Sequence, residues 1–143
     1  MNSVIKEKWI KALRSGEYNQ IDGRLASEDG SKHCCLGVLC ELGAKEKICK
    51  KVINNSEIIG YDDESHELPL SIQNWAGIKS ENPDICIDVE NDLNKEDSEK
   101  VLTYFKENLL INDDGIIYYS LAECNDKLKL SFNTIADLIE KKL

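Results

Sequence analysis

The chain has 143 residues, 27 of them acidic and 18 basic, with a formal net charge of −9. This length suits one domain with its own core, and 41% hydrophobic with 31% charged residues exclude a disordered chain and a membrane protein. The negative charge repels phosphate backbones, which disfavours general nucleic-acid binding. The charged N-terminus does not match a signal peptide. We therefore expect a single globular domain over residues 1–143, cytoplasmic and without membrane contact.

The first predicted helix has Ser3 as its N-cap and ends at Gly16. Its apolar residues recur at intervals of four, at Ile5, Trp9 and Leu13. Residues 18–26 and 31–35 flank a turn signal at residues 28–30, and this arrangement predicts a first β-hairpin.

A second helix is predicted from Cys35 to about Lys51 and is the most apolar of the chain. Gly37 and Gly43 lower its helix propensity, so they suggest that another backbone approaches closely there. A short apolar piece at residues 58–61 and an acidic loop follow. The next helix has Pro69 at its first position and Gly77 at its end, with Ile72 and Trp75 facing inward.

The second half of the chain predicts a strand at residues 85–89 and a helix capped by Asn94. Residues 109–111 and 116–119, around the turn at residues 112–115, predict a second hairpin. Ser120 and Glu123 match a capping box, and Ser131 caps the last helix. Together the elements predict an α+β fold: one compact domain of about five helices with two β-hairpins or a small antiparallel sheet.

The six cysteines are expected to be reduced thiols, mostly buried as small hydrophobic side chains. The spacings of Cys34, Cys35, Cys40 and Cys49 do not match the paired ligands of a structural zinc site, so no metal is predicted. A thiol nucleophile would need His33 or His66 as its base, and we interpret both histidines as surface residues. No catalytic residue and no cofactor is predicted, which favours a non-enzyme without deciding the matter.

One segment stands out as a candidate ligand site. Both arginines of the chain, Arg14 and Arg24, lie in it beside Tyr18 and Gln20. A guanidinium offers a planar fork to an anion and a tyrosine offers a stacking face, which predicts a pocket for a small anionic ligand. Trp75 would add a second stacking surface. The alternative is that Arg14 pairs with a nearby acid and Tyr18 closes the core.

The stretch from Trp9 to Leu42 resembles a family of small, mostly uncharacterised proteins encoded by bacteriophages and prophages. The shared pattern is Trp-x-x-Ala-Leu-Arg-Ser-Gly-x-Tyr-x-Gln, then Gly-x-Leu, then Cys-Cys-Leu-Gly-Val-Leu-Cys-x-Leu. Residues 68–77 and 121–140 are also similar to that family, whereas residues 88–117 form a longer segment than it would have. The resemblance implies a viral accessory protein in the bacterial cytoplasm.

Small viral accessory proteins often act by stoichiometric binding. The leading hypothesis is therefore capture of a small anionic ligand, such as a nucleotide signal, or the blocking of a host defence protein. A homo-oligomer with a ligand pocket between subunits is compatible with it. One alternative is a small hydrolase using a thiol with a histidine, or a carboxylate. Another is a protein-docking module whose acidic face includes residues 62–64, 88–92 and 113–114.

Overall fold

Six helices and three two-stranded sheets make up the fold in the computed structural model, which describes residues 1–55, 57–108, 110 and 115–143, and of Ile59 the backbone alone. The helices are α1 (Ser3–Arg14), α2 (Cys35–Lys45), α3 (Leu70–Ala76), α4 (Lys95–Glu107), α5 (Leu121–Asp126) and α6 (Phe132–Lys142). The strands are β1 (Asn19–Gln20), β2 (Lys32–His33), β3 (Lys51–Asn54), β4 (Glu57–Tyr61), β5 (Asp84–Asp88) and β6 (Ile116–Ser120). The predicted α+β class is confirmed, with one helix more than expected.

The core is built around α2, in which every residue from Cys35 to Cys40 is buried. Helix α1 packs against α2 and along α6, while α3 and α5 cover other sides of α2. Trp9 of α1 is fully buried, and its indole Nε1 donates a hydrogen bond to the Cys35 carbonyl at 2.9 Å. The prediction that the most apolar helix lies at the centre is therefore confirmed.

The predicted helix starts are confirmed at three of four caps. Asn94, Ser120 and Ser131 each accept a hydrogen bond from a backbone N–H in the first turn, and Ser120 with Glu123 completes the capping box. The prediction for α1 was wrong by one residue. Its cap is Asn2, whose side-chain oxygen accepts from the backbone N–H groups of Val4 and Ile5, and this places Ser3 inside the helix.

The first predicted hairpin was wrong. β1 and β2 pair in parallel, with Gln20 opposite His33, and only Ala26 forms an antiparallel bridge across the turn. Gly23 has a φ of +74°, a left-handed conformation that interrupts the predicted strand. Beyond it, the Leu25 N–H donates to the Ser65 carbonyl, so this segment is bound to a different part of the chain.

Helix α2 ends at Lys45, earlier than predicted. Lys47 adopts a left-handed φ of +62°, and the Ile48 N–H donates back to the Gly43 carbonyl, which closes the helix. The chain then forms an antiparallel hairpin, β3–β4, that the sequence analysis did not predict. Its turn passes through Asn55, a residue with a left-handed φ of +49°.

The described partner of β6 is β5. The two strands pair antiparallel, from Asp84 opposite Ser120 to Asp88 opposite Ile116. Residues 109 and 111–114, part of the second predicted hairpin, lie outside the described residues. Helix α4 is therefore an excursion between two paired strands. Its two connections leave and return at the same end of the β5–β6 sheet.

Candidate functional site

A groove runs along one face of α4 and encloses about 760 Å³. Its described lining comes from α4, from the connection after β5 and from the residues that lead back to β6: Val89, Glu90, Leu93, Lys95, Ser98, Leu102, Phe105, Lys106, Leu110 and Gly115. Volumes of several hundred cubic ångströms with mostly apolar walls are typical of small-molecule sites. This groove is therefore the candidate binding site.

The groove has a buried apolar floor and an exposed apolar rim. Val89, Leu93 and Phe105 are buried, whereas Leu102 is 59% and Leu110 45% exposed. The Ser98 hydroxyl donates to the Val89 carbonyl at 3.0 Å and ties α4 to the connection that forms the opposite wall. A ligand resting on the floor would cover the two exposed leucines.

The groove was missed by the sequence analysis, although α4 carried a signal for it. Val101 and Phe105 lie four residues apart on one side of this helix, and both are buried. Leu102 adjoins that stripe at the next position and is exposed. An exposed apolar residue beside the buried side of a helix indicates that the helix has a second apolar face.

The structure places the predicted ligand residues Arg14 and Arg24 in ion pairs. Arg14 pairs with Asp137 and Glu140 of α6, and hydrogen bonds to these two carboxylates, Glu140 first, raise its pKa. The guanidinium of Arg24 donates to Glu28 at 3.2 Å and to the Ile58 carbonyl at 3.4 Å. Each guanidinium thus has partners within the chain, on different elements.

The other three predicted residues also have partners within the chain. The Tyr18 hydroxyl accepts a hydrogen bond from Lys45 at 2.9 Å. Gln20 donates to the Asn125 side chain at 2.8 Å and to the Leu130 carbonyl at 2.9 Å. The half-buried Trp75 packs against the core beside Gly43.

Arg14 lines a shallow cavity of about 420 Å³ that none of the other four predicted residues lines. Tyr18 and Gln20 lie together at β1, and Arg24 and Trp75 lie elsewhere. A ligand role for these five residues stays a prediction. The contacts agree with the alternative weighed for Arg14, a pair with neighbouring acids.

A polar cluster around Glu41 joins β2, α2 and the β3–β4 hairpin. Glu41 accepts a hydrogen bond from the Tyr61 hydroxyl at 2.8 Å and forms an ion pair with Lys51 at 2.6 Å. His33 Nε2 lies 3.7 Å from the same carboxylate, beyond hydrogen-bond range, and neither ring nitrogen has a hydrogen-bond partner among the described residues. Proximity to the His33 ring first, and then the contacts with Lys51 and Tyr61, lower the pKa of Glu41 to about 2 against the opposing effect of burial.

This cluster is closed to a substrate. Tyr61 is fully buried and His33 is 4% exposed, so the interpretation of His33 as a surface residue was wrong, while His66 is exposed as expected. The ring of Tyr18 lies edge-on to His33 at 5.5 Å between centroids and covers it further. A general base must lie within hydrogen-bond reach of the proton that it abstracts. The cluster is suited to holding elements together.

The thiols are poorly suited to nucleophilic chemistry. Of the six free cysteines all but Cys86 are buried, as predicted. Burial raises the pKa of Cys34 and Cys49 to about 11 and of Cys124 to about 12, and raises that of Cys35 and Cys40 as well. Because the thiolate is the nucleophile, a raised pKa lowers reactivity. The thiol version of the hydrolase alternative thus finds no support here.

Within residues 1–55, 57–108, 110 and 115–143, no group of three or more His, Cys, Asp or Glu side chains is arranged to hold a metal ion. In the same residues, no helix combines the length and the apolar character needed to cross a membrane.

Comparison with known proteins places the chain in a family. The model of a domain of unknown function, DUF8296, matches residues 1–143, and the chain therefore belongs to this family. No curated protein and no solved structure matches it.

Proposed function

We propose that this protein acts by stoichiometric binding, and that its ligand is a small molecule held in the groove along α4. The observation that carries the proposal is the groove itself, a volume of about 760 Å³ with a buried apolar floor and two exposed leucines on its rim. Covering exposed apolar surface is favourable, by roughly 25 cal/mol per Å².

The state of the reactive side chains supports binding over catalysis. The buried thiols have raised pKa values, and the His33–Glu41 cluster is closed. The described lining of the groove includes one carboxylate, Glu90, and neither of the two histidines of the chain. An acid–base pair for hydrolysis is therefore missing among the described lining residues.

The acidic docking alternative receives less support from the contacts of its carboxylates. Asp62 accepts hydrogen bonds from the Lys50 N–H and the Ser71 hydroxyl. Asp92 accepts from the Asp88 N–H and pairs with Lys142 at 2.8 Å. These carboxylates stabilise turns and helix contacts. Residues 113–114 lie outside the described residues.

The resemblance to bacteriophage and prophage proteins supports the setting of the proposal. A viral accessory protein in the bacterial cytoplasm would act on host defence or host metabolism by capturing a small molecule. The alternative is that the partner is a host protein, and the experiment must be able to detect it.

The experiment compares two variants that place a charge on an exposed leucine. Leu102→Glu alters the groove, whereas Leu70→Glu alters a 69% exposed leucine on α3 as a matched control. Each protein is isolated from bacterial lysate, and its mass is measured under native conditions before small molecules are extracted and identified. We expect one ligand per chain in the wild type and in Leu70→Glu, and none in Leu102→Glu.

Several results would contradict the proposal. A ligand retained by Leu102→Glu but lost by Arg14→Ala would move the site to the cavity beside Arg14. Recovery of a host protein with no small molecule would replace capture by protein blocking. A wild-type protein that carries no ligand from any lysate would leave the groove without a role.

A further inference from the structure

We infer that the ligand of this groove is an amphipathic anion, a linear apolar chain with one carboxylate-type head group. The inference rests on the proposed function and names the chemistry of its ligand. Three properties of the described lining support it: the groove's length along α4, its charge, and its small number of hydrogen-bonding groups.

The length follows from the positions of the lining residues on α4. Lys95 and Lys106 are the first and last of them, and a rise of 1.5 Å per residue separates them by about 16 Å along the helix axis. Leu102 and Phe105 lie between the two lysines on the same face. An extended chain can follow this face, with a lysine near either end for its head group.

The described lining residues carry a net charge opposite in sign to that of the whole chain. The protein carries −9, but the described lining has two lysines against one acidic residue, Glu90. Neither the Lys95 nor the Lys106 ammonium group forms an ion pair or hydrogen bond with a described residue, whereas seven of the other fourteen lysines pair with a carboxylate, such as Lys100 with Asp97 at 2.8 Å. Because salt screens charges beyond about 10 Å, the charges nearest the groove act most strongly on a ligand, and the described lining contributes two lysines and Glu90 to them.

The lining offers little that could recognise a nucleobase. Among its described residues, Ser98 is the one with an uncharged polar side chain, and its hydroxyl already donates to the Val89 carbonyl. No arginine or amide side chain is present in that set to read a base edge, and Phe105 is its single aromatic ring. Sites that discriminate among polar ligands do so with matched hydrogen-bonding groups. A ligand with an apolar body and a single charged end fits this lining better than a nucleotide.

The test uses titration calorimetry to measure the binding of three probes that are each built on a ten-carbon chain: decanoate, decanol and decyltrimethylammonium. We expect decanoate to bind the wild type most tightly, decanol more weakly and the cation not measurably. The double variant Lys95→Gln/Lys106→Gln should bind decanoate roughly tenfold more weakly and decanol unchanged, in keeping with solvent-exposed ion pairs. Raising the salt concentration should weaken decanoate binding to the wild type.

The matched control is Lys50→Gln/Lys79→Gln, which makes the same change in net charge at two exposed lysines that are not among the described lining residues. It should bind decanoate like the wild type. Equal affinity for decanoate and decanol, with both lost in Leu102→Glu, would overturn the anion inference and leave the proposed function standing. If none of the probes binds and Leu102→Glu retains whatever ligand the lysate supplies, the inference and the proposed function both fall.

Discussion

Gly37 shows how a single residue can set the distance between two backbones. A Cβ built at this position would lie 1.7 Å from the Leu25 carbonyl oxygen, so no larger residue fits while α2 keeps its place against residues 25–26. Gly43 on the same helix differs. A Cβ there would meet the Ile72 side chain at 2.2 Å, with no backbone atom among its three nearest neighbours. The predicted approach of a backbone is confirmed at Gly37 and was wrong at Gly43.

Gly37→Ala should lower the free energy of unfolding by about 3 kcal/mol or more, the upper end for overpacking a core. Gly43→Ala should cost clearly less, because the Ile72 methyl can move and alanine adds about 1 kcal/mol of helix propensity. Urea denaturation followed by circular dichroism checks both variants. Equal losses would show that the Leu25 segment can shift away from α2.

At the scale of elements, Glu41 joins α2 to the β3–β4 hairpin and to β2. Its carboxylate contacts Tyr61 and Lys51, with His33 nearby. The pKa of Glu41 is about 2 in the folded protein, against an ordinary value of 4.5. The folded protein therefore binds this proton at a lower pH than the unfolded chain does. The contribution to stability is therefore complete above about pH 4.5, shrinks as the pH falls, and is lost near pH 2.

Glu41→Gln should lower the free energy of unfolding at pH 7 by up to about 3 kcal/mol, the value that a shift of this size implies. Between pH 4.5 and pH 2 the variant should lose less stability than the wild type. Urea denaturation at several pH values measures both effects. Glu46→Gln serves as the control, since its exposed pair with Lys8 should contribute at most about 1 kcal/mol. Parallel curves for Glu41→Gln and wild type would rule out this role of Glu41.

The pairing of β5 with β6 is the other result at this scale. The chain leaves the sheet after Asp88 to form α4, and it returns at Ile116, which pairs with Asp88. The groove lies along this helix, and the buried Leu93 and Phe105 are among its lining residues. Local turn signals favoured a hairpin of neighbouring segments, but the pairing joins strands that are separated by a whole helix.

At the scale of the whole molecule, the cysteines report how tightly the core is closed. Five of the six are buried, in α2, in α5 and in the segments that flank α2, and Cys86 is partly exposed on β5. A buried thiol reacts only when the surrounding structure opens. The raised pKa values of the buried thiols slow the reaction further.

With an aromatic disulfide reagent in native buffer, we expect one thiol to react quickly and the other five to react at the rate of unfolding. Cys86→Ser should remove the fast phase, and urea should release all of the remaining thiols at once. The absorbance of the released thiolate gives the count directly. A fast phase of two or more thiols in native buffer would mean that part of the core opens without global unfolding.

The sequence by itself determined most of the helices and their ends. Caps such as Ser120 with Glu123, and the left-handed Gly77 that ends α3, depend on hydrogen bonds within a few residues and can be recognised locally. The buried helix α2 was also evident, because apolar periodicity indicates burial whatever lies opposite.

Strand pairing and the site were decided by the tertiary structure alone. The parallel pairing of β1 with β2 and the antiparallel pairing of β6 with β5 across α4 both join residues whose partners no local pattern specifies. Arg14, Arg24 and Gln20 form contacts with residues far along the chain, which compete with any ligand. The described lining of the groove likewise comes from α4, from the connection after β5 and from residues before β6. Its lysines and leucines therefore come to line one groove only when the chain has folded.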